Sequence, residues 1–168
     1  SSQTLNDTYI GLFCDFDIGY AYDDYVGCDV SRGAFYGYNG EKVDGGEADI
    51  SYGENPPAQG IVILGGPLMD PNGIDDPDGE CDESINGVGF GDGIADNERY
   101  GMKKFLYFNN TQGVQGDPQT AEEYYNYMKA IWKDGTAMEY GGNGHVSSGA
   151  YGPAANFMFP GLTDECYW

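Results

Sequence analysis

Basic residues are what this chain most lacks: seven Lys and Arg stand against 28 Asp and Glu, a formal net charge of −21 over 168 residues. Such a chain repels phosphate polymers and anionic membrane surfaces. Nucleic acid is therefore excluded as a partner, while metal cations, basic surfaces and neutral ligands are favoured. Long apolar runs are missing too. No run approaches the roughly 18 residues of a membrane-spanning helix, so no membrane insertion is expected. No signal peptide opens the sequence, and a mature end or the boundary of an excised segment is expected there.

The four cysteines contain no Cys-x-x-Cys pair, which leaves zinc or thioredoxin-like chemistry without support. An even cysteine count in a Gly-rich, Lys-poor chain suggests disulfides and an oxidising compartment. Three connectivities are open. Proximity favours Cys14–Cys28, which would staple an acidic N-terminal hairpin, and Cys81–Cys166, which would tie the acidic loop to the C-terminus. Histidine occurs once, as His145 in "GGNGHVSSG". A lone histidine among glycines is a loop residue before it is a general base, and Ser147 two residues on does not make a nucleophilic pair by spacing. Paired carboxylates could serve glycoside hydrolysis, but acidic residues are so abundant that any pair can be picked out. The chain reads as non-catalytic.

What is present is aromatic: 15 Tyr, 8 Phe and 2 Trp, a content that disordered acidic segments do not carry. The length suits one folded domain, 1–168, with a sizeable core. The fold class expected is mainly β (α+β), with one main helix and long Gly/Asp-rich loops. Over 7–38, Tyr, Phe, Val and Ile alternate with Gly and Asp, as in strands joined by tight turns, and Asn39–Gly40 is a turn signal. "QGIVILGGP" reads as a buried strand, and "RYGMKKFLYFNN" as a strand with aromatic faces. The helix is expected over 118–133. Asp117 would cap it before Pro118, Glu122 and Glu123 would sit in its first turn, and Gly135 would end it. Its Tyr124, Tyr127, Met128 and Ile131 face would pack on a sheet containing 60–64.

The chemistry-bearing stretch is "DPNGIDDPDGECDESINGVGFGDGIADNERYGM", 70–102, in which ten residues are acidic and Arg99 is the one basic residue before the segment turns apolar. Asp spaced around Gly lets the backbone curl, so that carboxylates and carbonyls converge on a hard cation, and calcium accepts six to eight oxygens. Asp92, Asp96 and Glu98 are the expected side-chain ligands, with Asp76, Asp78 and Asp82 as upstream candidates. An EF-hand is excluded. With Asp92 and Gly93 at loop positions five and six, Val88 and Phe90 would fall on ligand positions. "CDFDIGYAYDDYVGCD" is a candidate for a second calcium, held by Asp15, Asp17, Asp23 and Asp24 since alternate strand residues share a side; the alternative is a polar outer face of a strand pair.

Taken in order, "DFDIGYAYDDYVGCDVSRGAFYGYNGE", "ENPPAQGIVILGGP", "GDGIADNERYGMKKFLYFNN", "DPQTAEEYYNYMKAIWKDGTAMEYGGNG" and "NFMFPG" resemble a module of large secreted surface proteins of Bacteroidota. Those proteins are often exported by type IX secretion and carry a C-terminal sorting domain. The resemblance covers about residues 12–161 and implies a secreted or cell-surface life in a mosaic parent, with no reaction and no catalytic residues to carry over. The expected function is a calcium-stabilised, non-catalytic extracellular module for adhesion or structural assembly, with copies of itself as a candidate partner. The alternative is a carbohydrate-binding module whose tyrosines stack on glycans, and an accessory domain of a secreted hydrolase ranks below it.

Overall fold

The computed structural model describes residues 3–47 and 49–161. Strand outweighs helix, as the alternating pattern implies. Strands β1 (Asp24–Asp29) and β2 (Ala34–Asn39) pair antiparallel, and β3 (Ala58–Val62) pairs antiparallel with β2, in the order β1-β2-β3. The register sets Tyr25 against Tyr38, Cys28 against Phe35, and Phe35 against Ile61. With a period of two, Cys28, Phe35 and Ile61 line the inner face, while Tyr25, Tyr36 and Tyr38 line the outer one. The inner face builds one core with Val30, Met102 and Phe157, flanked by Cys14, Phe16, Ile63 and Ile85.

The hairpin turns at 30–33, not at Asn39–Gly40. Asp29 organises that turn by accepting from the Ser31 hydroxyl at 3.0 Å and the Arg32 amide at 3.1 Å, and Gly33 takes the positive φ of 56° that the corner needs. Asn39 and Gly40 lie instead at the open end, where the Gly40 N–H donates to the Asp23 carbonyl. Residues 7–23, expected as strand, are irregular and cover the inner face of the sheet through Cys14 and Phe16. The "RYGMKKFLYFNN" stretch is likewise no strand, apart from isolated bridges such as Phe105 to Phe157. It runs between two cores, so side chains cover it on both sides: Met102 belongs to the sheet core, Leu106 and Phe108 to the second, and Phe105 touches both.

That second core gathers Tyr127, Ala130, Trp132, Met138, Ala155 and Met158. Helix α1 is Ala121–Met128, shorter than 118–133. Thr120, not Asp117, is the N-cap, in a capping box with Glu123. The helix stops where Ala130 takes a φ of 57° and the Ile131 and Ala130 amides return to Asn126 and Tyr127, a Schellman ending. Its buried residue is Tyr127; Tyr124 is 56% exposed. The helix packs on the loops of the second core rather than on the sheet. Among the described residues, no helix is long and apolar enough to cross a membrane.

The expected Cys14–Cys28 bridge is not formed. Cys28 is fully buried, with its Sγ donating to the Met158 carbonyl at 3.2 Å, while Cys14 stays half-buried at the margin of the same core. Cys81 is disulfide-bonded. Its expected partner, Cys166, lies outside the described residues.

Candidate functional site

The acidic segment is a closed loop. Residues 98–100 run beside both 66–69 and 88, with Met69 N–H on the Glu98 carbonyl, Tyr100 N–H on the Pro67 carbonyl, and Val88 and Arg99 exchanging both backbone bonds. Within that clamp the two halves of the loop interlock through carboxylates. Asp96, at a φ of 60°, accepts from the Asn72 and Gly73 amides at 2.7 and 2.8 Å. Asp75 accepts from the Gly93 amide at 2.7 Å, and Asp76 from the Asn72 side chain at 3.0 Å. Asp92 takes the Ile94 amide and the Asn97 side chain, both at 2.9 Å. Glu98 is 3% exposed and accepts from the Asp76 amide at 2.8 Å.

Every one of these donors is a neutral N–H, so the hydrogen bonds hold the loop without cancelling its charge. The interlock thus engages Asp76, Asp92, Asp96 and Glu98 of the expected set together with Asp75, and adds Asn97. Asp82 belongs to a separate turn, accepting from the amide and hydroxyl of Ser84, and these bonds hold its carboxyl below the usual range. Asp78 is exposed, beside Gly91, and is not drawn into the interlock.

A second cluster forms at the open end of the hairpin. Asp23 accepts from the Gly45 amide at 2.8 Å and Asp24 from the Ile18 amide at 2.9 Å. Asp44, 3% exposed, accepts from the Tyr20 and Tyr52 amides at 3.0 and 2.5 Å. Burial raises the Asp24 carboxyl above its ordinary value; the Ile18 amide opposes this, and the charges of Asp23, Asp44 and Asp17 add to it. Asp17 therefore acts on the cluster through its charge, while Asp15 is exposed and outside it. Asn39 lies directly opposite Asp24 across the hairpin and joins the cluster through that register; Asp44 was not legible as a member, because nothing in sequence spacing places residue 44 against residues 20 and 24.

Among the described residues, the buried side-chain oxygens without a hydrogen-bond partner are Oδ1 of Asp23, Asp24, Asn39, Asp75 and Asn97. All five belong to these two clusters. Buried polar atoms are nearly always paired, and a donor, a water or a cation would each satisfy these oxygens. No three His, Cys, Asp or Glu side chains among the described residues converge on a single metal position. The orphaned oxygens of each cluster are of two kinds, carboxylate and amide.

His145 holds a different chain of contacts. Its Nδ1 lies 2.6 Å from the Ser147 hydroxyl and its Nε2 3.3 Å from Asp134, an Asp–His–Ser order that sequence spacing did not reveal. The geometry is that of a cap. His145 Nδ1 also accepts the Ser147 amide at 3.1 Å and starts the 3-10 turn Val146–Ser148. The amides of Ser148, Gly149 and Ala150 donate to the carbonyls of His145 and Val146, so none is left to hold an oxyanion.

The chain matches no protein-family model, no curated protein and no solved structure.

Proposed function

We propose that the protein is a non-catalytic, calcium-stabilised module of a secreted or cell-surface protein, serving adhesion or structural assembly. The observation that supports it is the set of orphaned buried oxygens, all within the two acidic clusters. Calcium takes backbone carbonyls, amide oxygens and water beside a few carboxylates, so it suits two carboxylates and an asparagine better than a cage of three acidic side chains would require. In the loop site Asp75 and Asn97 would offer the orphaned oxygens, with Asp92 beside Asn97 as a second carboxylate; in the hairpin site Asp23, Asp24 and Asn39 would serve. Binding to the folded state alone adds about 2.7 kcal/mol when free calcium is a hundredfold above Kd. Thermal melting is expected to rise in millimolar calcium and fall in chelator, with magnesium much less effective. Identical melting in calcium and chelator overturns the reading.

A second reading has its own observation. Tyr25 and Tyr38, 60% and 41% exposed, stack at 6.0 Å on the outer face of the sheet, and the ring of Tyr25 lies over Gly40, where a Cβ would meet it at 2.0 Å. Paired flat rings in an acidic surface suit a neutral saccharide, whose C–H edges meet the negative ring faces. A neutral-glycan array probed with the protein and with Tyr25→Ser tests it; equal or no binding by both removes it.

A further inference from the structure

The sheet has two edges, and they are treated differently. The outer edge of β1 is met by the C-terminal region, where the Cys28 amide donates to the Phe159 carbonyl at 3.3 Å. β3 pairs with β2 on one side, and on its other side no backbone hydrogen bond of 58–62 is made among the described residues. Open edges are normally guarded by charge, proline or a bulge within the strand. Here the stretch from Asn55 to Met69 carries no charged residue, and its prolines, Pro56, Pro57 and Pro67, lie outside the strand. Val62 is 54% exposed and Leu64 86%.

We propose that two copies of this chain join through the open edge of β3, antiparallel, about a two-fold axis at Gly60. The proposal rests on the assembly reading above and names its surface. Charge selects the occupant. A net charge of −21 repels a second copy over most of the surface, and a basic partner would be drawn to the acidic loops; the uncharged edge is where like can approach like. The strand is also self-complementary. With Gly60 on the axis, Ala58 of one copy faces Val62 of the other and Gln59 faces Ile61, small against branched and amide stem against aliphatic. An isologous contact of this kind closes at a dimer and turns two three-stranded sheets into one of six.

Sedimentation of the 168-residue chain over a range of concentrations tests this. The weight-average mass is expected to climb from 18.2 kDa toward twice that value, and to climb further in higher salt as the repulsion is screened. Val62→Glu sets a charge at the seam and is expected to hold the chain monomeric with unchanged far-UV circular dichroism. Gly60→Cys is a second, independent probe: a Cβ there meets nothing closer than 3.6 Å, so the fold accepts it. Under mild oxidation it is expected to give a covalent dimer, several-fold more than Ala58→Cys, and this comparison decides the matter if Val62→Glu does not fold. Monomer at all concentrations, a dimer indifferent to Val62→Glu, equal cross-linking at 58 and 60, or pairing with a foreign strand in place of a copy overturns the proposal. Melting in calcium and chelator on the same samples separates the two readings. A calcium-dependent monomer removes the edge contact alone, and a calcium-independent dimer removes calcium alone.

Discussion

Asp24 carries the sharpest consequence at the scale of one residue. Its carboxyl is raised by burial and by the charges of Asp23, Asp44 and Asp17, so its ionised form is less favoured in the folded state than in the unfolded chain. A carboxyl raised on folding favours the native state below its unfolded value, and that contribution is lost as pH rises through its folded value. Without metal, Asp24→Asn should therefore raise the melting temperature at neutral pH, with the gain disappearing in acid. In calcium the sign should invert, because the substitution removes a ligand charge. Differential scanning fluorimetry of the pair in calcium and in chelator reads both signs, and the same sign in both media overturns the ligand role. Trp132 gives a purely structural contrast. It is fully buried, with its indole N–H donating to the Gly144 carbonyl at 2.7 Å, and Trp132→Ala should cost about 3–5 kcal/mol in urea unfolding whatever the metal.

For the elements, the helix separates what was legible from what was not. Its existence was written in Glu122 and Glu123 at a first turn and in apolar residues at helical spacing. Its ends were not. Asp117 precedes a proline and looks like a cap, yet Thr120 forms the reciprocal pair with Glu123. Thr120→Ala should cost about 1 kcal/mol and Asp117→Ala less than half of that, measured by chemical unfolding. The early stop at Ala130 has no sequence signal, because alanine reads as a helix former. Its left-handed conformation is held by burial of its methyl group in the core of Trp132 and Met138. The strands were legible where Tyr, Phe and Val alternate with Gly. The 102–108 stretch was not, since the same alternation results when a chain is sandwiched between two cores. In the site, the carboxylates of the acidic loop could be read from composition. Asn39 and Asp44 could not, because folding and not spacing brings them in; Asn97 bonds Asp92 five residues away, but an uncharged amide among carboxylates gave no charge signal.

Across the whole molecule the charge imbalance sets the response to solvent. With 28 acidic residues against seven basic ones, added monovalent salt should raise the melting temperature by screening. Calcium at equal ionic strength should raise it more, and a melting curve that follows ionic strength alone would leave only diffuse screening. The Cys81 bridge acts on the unfolded chain instead. Reduction should cost about 2–5 kcal/mol in urea unfolding, and alkylation of a non-reduced sample should leave Cys81 unmodified.

The contact between Cys28 and Met158 spans 130 residues of sequence. The same far segment supplies Phe157 to the floor of the sheet and Phe159 to the edge of β1. A ribosome releases this chain from its N-terminus, so the hairpin can zip as soon as it emerges but must wait for almost the entire remainder before its floor arrives. During that interval the underside of the sheet is wet and the rim of β1 is bare. In that half-built condition the underside of the sheet and the rim of β1 are the surfaces open to misassembly.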